Sequence, residues 1–330
     1  MARHVLVTLA DERFLDPARQ LFACAHFNAG WDGDLLLLAH DVPDAKLQPF
    51  RERGIQVREC RPWLEVDRDD VFHPPTVLSK FDVFGTEFRR WENVVFLDSD
   101  IMLWASIHAL SRVPGFSAVC ERRPLAGQYA ERGRDPQRAH ELEDRYRLER
   151  PAFNSGLLAF PSAVIRDDSV ERLRGLYLRY RDLQAHPFGD QPALNLYFRG
   201  RWTLLPDFYA AIRDHSARHF FLPEERLRMI GKHFAGWPRP WDEESPYHAA
   251  WLENLARFEG LDARRPQAPR ARWSRAEVQR YWLELRARRS LGLAGAAARD
   301  AATALRSTPA GKRVRYALRR VRERLGGGGP

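Results

Sequence analysis

The 330-residue chain has little of what usually announces a function by composition. Its three cysteines, Cys24, Cys60 and Cys120, are odd in number and lack the paired spacing of a zinc site or disulfide framework. They read as reduced, buried thiols of a cytosolic protein. No stretch approaches the roughly 18 apolar residues of a membrane-spanning helix. The opening "MARHVLVTLADERF" runs straight into a strand pattern and then charge, with no long apolar region and no small-residue cleavage site, so no secretory signal is expected. There is no Gly-x-Gly-x-x-Gly after the first strand pattern and no Gly-Lys-Ser/Thr phosphate loop, so dinucleotide and P-loop readings lack support. Lysine occurs only at Lys46, Lys80, Lys232 and Lys312. Arginine richness is therefore weak evidence here, whereas a lysine that persists stands out.

What is present suffices for a folded enzyme-sized body. With 44% hydrophobic and 12% aromatic residues the chain can bury a proper core, which argues against wholesale disorder. Its length suits one large α/β domain with an extension, or two modest domains. The net charge of +9 is a poor average, because from Arg264 onward there are 18 basic and 4 acidic residues. The body is thus slightly acidic, and a nucleic-acid-binding body is not indicated.

Apolar runs punctuated by polar turns predict a strand at 4–9, a helix at 13–28, a strand at 34–39, a short helix, and a strand near Ile55–Val57. A helix over 76–91 then leads into a strand at Val94–Leu97. Beyond these come a strand at Gly156–Phe160, helices over 163–183 and 190–198, and a strand near Trp202–Leu205. Such alternation argues for a mainly parallel sheet covered on both faces, which binds ligands at the carboxyl ends of its strands. Residues 121–151 are dense in both charges, an insertion with one helix around 136–148 and a common place for a lid or acceptor element. The stretch "LDARRPQAPRAR", 261–272, reads as a linker. It divides a domain at 1–260 from a basic helical extension at 261–330, with helices near 273–289 and 311–325.

One segment, "VVFLDSDIMLW" at 94–104, places two carboxylates inside an apolar run. Side chains alternate along an extended chain, so Asp98 and Asp100 can point the same way. Two desolvated like charges need something positive between them: an arginine, a divalent cation, or a cation–phosphate pair. Three further segments look purposeful. They are "FNSG" at Phe153–Gly156, "FGDQPALN" at 188–195, and "HFAGWPRPW" at 233–241. Asp190 follows Gly189 and precedes Pro192, a helix start in which the aspartate would cap.

Together with "SKFDVF", which holds Lys80, these segments in this order resemble the glycogenin-like family of retaining glycosyltransferases (family 8), of GT-A fold. The resemblance runs from Val5 to Trp241 and omits the tail. It implies a metal-dependent enzyme moving a hexose from a nucleotide sugar, with a UDP-sugar as the expected donor. Asp98, Asp100 and His233 would be the metal ligands. Two carboxylates and an imidazole favour Mn²⁺ over Mg²⁺, and the cation would neutralise the diphosphate leaving group. Ser99, between the two aspartates, falls in the same donor-binding motif. Arg239 stands where the family usually has lysine against the distal phosphate, a planar fork in place of a point charge. The amide of Gly236 would lie near the same phosphates, and Lys80 near the donor. Thr8, Leu9 and Ala10 would line base and ribose, with Phe14 near the place of a stacking tyrosine, although Phe14 also reads as core. Asn154 and Ser155 would bond sugar or ribose hydroxyls. Asp190 and Gln191 would flank the reacting anomeric carbon, retention following from a covalent intermediate or from front-face attack.

The acceptor is open: a glycan, a lipid-linked glycan or a protein hydroxyl, the chain's own tyrosines included. Within "KRVRYALRRVRERL", 312–325, Val314, Leu318, Val321 and Leu325 fall at helical spacing among arginines. That pattern suits an anionic membrane surface, and equally a helix docked on the body or an unstructured basic end. A cytoplasmic protein is expected, with 311–325 a candidate contact for the inner face of the membrane. Two rival readings share these residues. A nucleotidyltransferase would want a Gly-rich, Arg/Lys-bearing signature after the first strand, which "TLADERFLD" lacks. The other is a catalytically silent nucleotide-sugar binder.

Overall fold

The computed structural model describes residues 3–64, 75–129, 136–185, 189–210, 230–236 and 238–271, with isolated positions beyond. The chain divides into two units, Met1–Arg272 and Trp273–Pro330. The second, with the helices expected near 273–289 and 311–325, lies almost wholly outside the described residues.

The first unit is wound on a strand–helix alternation. Strand β1 (His4–Ala10), helix α1 (Leu15–Phe27), strand β2 (Asp34–His40), helix α2 (Asp44–Glu52) and strand β3 (Gln56–Cys60) follow in order. Six of the seven residues in each of β1 and β2 are buried, as continuous apolar runs covered on both faces require. Residues 75–91 depart from the expected α-helix and form tight 3-10 turns at Pro75–Phe84 and Thr86–Arg90. Leu78–Phe84 are buried without interruption, so no amphipathic stripe of period 3.6 selects an α-helix there.

Strands β4 (Asn93–Leu97), β5 (Ile101–Leu103) and β6 (Ser117–Pro124), helix α3 (Pro136–Tyr146) and strand β7 (Pro151–Pro161) come next. After them come helices α4 (Ser169–Tyr180) and α5 (Gln191–Tyr197), strands β8 (Thr203–Leu205) and β9 (Gly231–His233), and helix α6 (His248–Arg257). The main sheet has the order β3-β2-β1-β4-β7-β6-β8. Its β1–β2, β1–β4, β2–β3 and β6–β8 pairs are parallel, while β7 runs antiparallel between β4 and β6. Strand β7 begins earlier than the expected Gly156, so Asn154 and Ser155 lie within it. The charged stretch after β6 is not merely a solvated loop. Leu125, Tyr129, Leu142 and Leu148 bury themselves against Tyr180, Leu183 and Leu196. The Pro/Arg-rich stretch bonds to the body through Ala263 N to Arg53 O (2.8 Å) and Arg270 N to Asn28 O (2.8 Å).

Candidate active site

The site lies at the carboxyl ends of β1 and β4, where the polarity of the parallel strands brings loop residues together. A cleft of about 390 Å³ opens there, lined by Leu9, Ala10, Phe14, Lys80, Asp98–Asp100, Asn154–Gly156, Asp190, Gln191, His233 and Arg239. Its size falls within the range of roughly 300–1,000 Å³ typical of small-molecule sites.

The apolar run with two carboxylates resolves into two strands joined by a turn. Strand β4 ends at Leu97 and the chain turns, with Ile101 N donating to Asp98 O (3.1 Å). Strand β5 then pairs antiparallel with β9, setting Ile101 opposite His233. Met102, Phe234 and Trp251 pack together nearby, with Trp104, Trp241 and Tyr247 against them. Thus a three-residue strand far along the chain places an imidazole beside the acidic turn. His233 Nε2 lies 3.1 Å from Asp100 Oδ1 and 3.6 Å from Asp98 Oδ2.

The outer oxygens of the same carboxylates face two cations. Lys80 Nζ is 2.9 Å from Asp98 Oδ1 and 3.1 Å from Asp190 Oδ2. It also donates to Ser155 O at 3.2 Å. Arg239 NH1 is 2.6 Å from Asp100 Oδ2. The inner atoms, Asp98 Oδ2, Asp100 Oδ1 and His233 Nε2, are left facing one another, and one ligand atom from each of the three residues lies within 4.8 Å of the others. Two carboxylate oxygens and one imidazole nitrogen form a donor set suited to a borderline divalent ion.

The electrostatics follow from this pairing. Burial would lower the His233 pKa, but Asp100 and Asp98 outweigh it and the imidazole titrates above its ordinary value. Burial would raise Asp100, yet His233 and Arg239 hold its carboxyl down at about 2. Burial likewise opposes charge on Lys80, and Asp190 and Asp98 overcome it, raising its pKa. Three carboxylates thus face three cationic groups. A metal held by the triad would need His233 neutral and would itself supply positive charge between the two carboxylates.

The "FNSG" segment serves as scaffold. Asn154 Oδ1 accepts from Gly156 N (2.9 Å), and Asp98 N donates to Gly156 O (2.8 Å). A β-carbon at Gly156 would collide with the His233 ring. The amide of Gln191 accepts from Ser155 N (3.0 Å), and its Nε2 is buried with no partner among the described residues. Asn195 fixes the pair, exchanging bonds with Phe153 (2.8 and 2.9 Å) and donating to Gln191 O (3.0 Å).

The expected capping by Asp190 is not made by its side chain. The N2 position is Pro192, which has no N–H to donate, and the carboxylate turns to Lys80 instead. Thr8 does not line the cleft; its buried hydroxyl donates to Leu97 O (2.7 Å) and ties β1 to β4. Gly236 is exposed and lies outside the cleft wall. Phe14 lines the cleft with its ring edge-on to Trp241 at 5.9 Å.

Other lining residues carried little or no signal of their own. Asp11 accepts from Arg13 N (3.0 Å) and Phe14 N (3.2 Å), so it both caps a turn and borders the cleft. Thr76 donates to Asp11 Oδ2 (3.2 Å). Glu121, within 3.4 Å of Asn154 Nδ2, comes from the charged stretch and was indistinguishable there from a solvated residue.

The cleft and sheet have relatives. The family model for glycosyl transferase family 8 matches residues 34–245. Glycosyltransferase GlyF of Streptococcus pneumoniae serotype 4 is 27% identical over 172 residues, covering 51% of this chain and 38% of that protein. Galactinol synthase 2 of Solanum lycopersicum is 26% identical over 220 residues, covering 61% of each. The matches thus span less than two thirds of either relative's length. The galactosyltransferase LgtC, solved with donor and acceptor sugar analogs, superposes with a TM-score of 0.55 at 15% identity over 81% of this chain and 98% of its own. GlyE from Streptococcus pneumoniae TIGR4 does so at 0.54 and 16% identity, over 82% and 66%. These likenesses show the GT-A fold, and with more than half of its length matched by the family model, the chain belongs to glycosyl transferase family 8.

Proposed function

We propose that the protein moves a hexose from a UDP-sugar to a hydroxyl of a glycan or lipid-linked glycan, with retention at the anomeric carbon and a divalent cation in the site. One observation carries the reading. The inner oxygens of Asp98 and Asp100 face His233 Nε2, while their outer oxygens are held by Lys80 and Arg239. The residues fit Mn²⁺, which when bound would neutralise charge on the departing diphosphate. Resemblance to galactinol synthase 2 and to a galactosyltransferase supports a hexose donor.

Each side chain then has a task. Lys80 fixes Asp98 and Asp190 in position, one buried ammonium bridging the two carboxylates. Arg239 orients Asp100 and adds positive charge where diphosphate binds. Gln191, which lines the cleft, offers its Nε2 as a donor for a sugar hydroxyl. Asp190, held by Lys80, stabilises positive charge developing at the anomeric carbon. Leu9, Ala10 and Phe14 form the apolar end for the base. The basic segment 311–325, outside the described residues, is proposed from its sequence to hold the enzyme at an anionic membrane surface near its acceptor.

The test is a panel of nucleotide sugars with Mn²⁺, scored by thermal shift and by release of nucleoside diphosphate. Stabilisation and slow hydrolysis are expected with a UDP-hexose. A protein that neither binds nor cleaves any member of the panel contradicts the reading.

A further inference from the structure

A second cluster of ligand-type side chains lies at the opposite end of the sheet. His4 begins β1, while the cleft is at its carboxyl end beyond Ala10. Six residue steps separate the two ends, or about 20 Å of strand. His4 Nε2 lies 2.7 Å from Asp32 Oδ1, and His108 Nδ1 lies 3.5 Å from the same oxygen. One ligand atom from each of the three lies within 4.8 Å of the others.

An ordinary ion pair needs one imidazole, and here two nitrogens from distant segments converge on one carboxylate oxygen. The surroundings hold both rings. Trp31 meets His4 edge-on at 4.8 Å and stacks on His108 at 6.1 Å with an interplanar angle of 23°. Trp31 is itself buried and pinned, its Nε1 donating to Asp34 O (3.1 Å). Gly33 is required beside them, since a β-carbon there would strike the His4 ring. The backbone of His108 is fixed from both sides, its N donating to Ser106 Oγ (3.4 Å) and its O accepting from Ser111 Oγ (2.9 Å).

The geometry points to a second metal site, His4–Asp32–His108, selective for zinc-like ions. Ligand bonds of 2.0–2.2 Å in a tetrahedron set ligand atoms roughly 3.4 Å apart, a value between the 2.7 and 3.5 Å that separate Asp32 Oδ1 from the two rings. Two imidazoles and one carboxylate favour Zn²⁺, where the acidic cleft favours a harder ion. With three ligands from the described residues, a fourth position is left for water. Bound zinc ties the start of β1 to the turn after α1 and to the segment at His108–Arg112.

The experiment is zinc stoichiometry on metal-stripped, full-length protein, by equilibrium dialysis against ZnCl₂ and elemental analysis. His108→Ala is expected to lose one equivalent per chain, and Asp32→Asn, which leaves both imidazoles folded in place, to weaken the same equivalent at least tenfold. Asp100→Asn removes a different equivalent, so failure here and failure of the cleft reading are distinguishable. Zinc uptake unchanged by both His108→Ala and Asp32→Asn, with circular dichroism intact, overturns the site. So does a parent protein that takes up no zinc which these substitutions remove.

Discussion

Gly156 backs directly onto the imidazole of His233, leaving no room between them for a β-carbon. The two come from β7 and β9, which are not neighbours in any sheet, so their approach is specific to the site. Gly156→Ala should push the ring off the Asp98/Asp100 pair while the fold survives, because overpacking by one methyl typically costs about 1–3 kcal/mol. The expected outcome is at least a tenfold loss of Mn²⁺ affinity, measured calorimetrically in the presence of UDP. Unchanged affinity in a folded variant would show that the ring position does not matter.

Lys80 is the buried counter-ion of two carboxylates. Its replacement by methionine preserves volume and strands Asp98 and Asp190 without their cation. Breaking a buried pair from one side costs roughly 3–5 kcal/mol. Urea unfolding at pH 7 should show a loss of that order, and a change below about 1 kcal/mol would mean the pair contributes nothing.

Asp190→Asn tests charge without shape. Because the side chain makes no cap bond, the helix start is untouched. Turnover should fall by at least about 100-fold, roughly 2.7 kcal/mol of barrier, with UDP-sugar affinity nearly kept. Normal turnover in the folded variant would remove Asp190 from the chemistry.

Burial lowers the His26 pKa against the smaller upward pull of Asp262. The unfolded chain therefore takes up a proton that the folded chain resists, and stability contributed above the ordinary histidine value is lost as pH falls below it. Between pH 7.5 and 5.5 the urea midpoint of the parent should drop further than that of His26→Gln. Identical pH dependence of the two would contradict the assignment.

Burial pushes the Cys24 and Cys60 thiols up to about 12. At pH 8 both thiols are therefore protonated and poor nucleophiles. Ellman's reagent should titrate no more than one thiol per native chain and all three in denaturant. Two fast-reacting native thiols would refute this.

Much of the fold was legible in the sequence because β1, β2 and β4 are near-continuous apolar runs, a pattern buried parallel strands impose. The pairing of β5 with β9 was not legible. Each is three residues long, and their sequences, Ile-Met-Leu and Gly-Lys-His, share no periodicity. The 3-10 turns at 75–90 escaped because uniform burial removes the stripe that separates helix types. In the cleft, the acidic pair announced itself as charge inside an apolar run, and the resemblance placed Lys80 and Arg239 near the donor, but their pairing with Asp98, Asp190 and Asp100 was not legible. Nothing local in the sequence distinguishes a lysine that reaches Asp98 and Asp190 from one that reaches water. Asp190 misled for a related reason: Pro192 removes one of the two amides a cap can use, the Asp190 backbone is helical and not extended, and Lys80 offered a stronger partner.

The central claim, that Asp98, Asp100 and His233 hold a divalent cation against a nucleoside diphosphate, has one most direct measurement. It is the stability of the protein with saturating UDP, in Mn²⁺ and in chelator. Ligand at about 100 times its dissociation constant stabilises by roughly 2.7 kcal/mol. A shift of that size is predicted with Mn²⁺ and not with chelator, and its metal-dependent part should vanish in folded Asp100→Asn. Equal stabilisation of the parent protein by UDP with and without the metal would contradict the account.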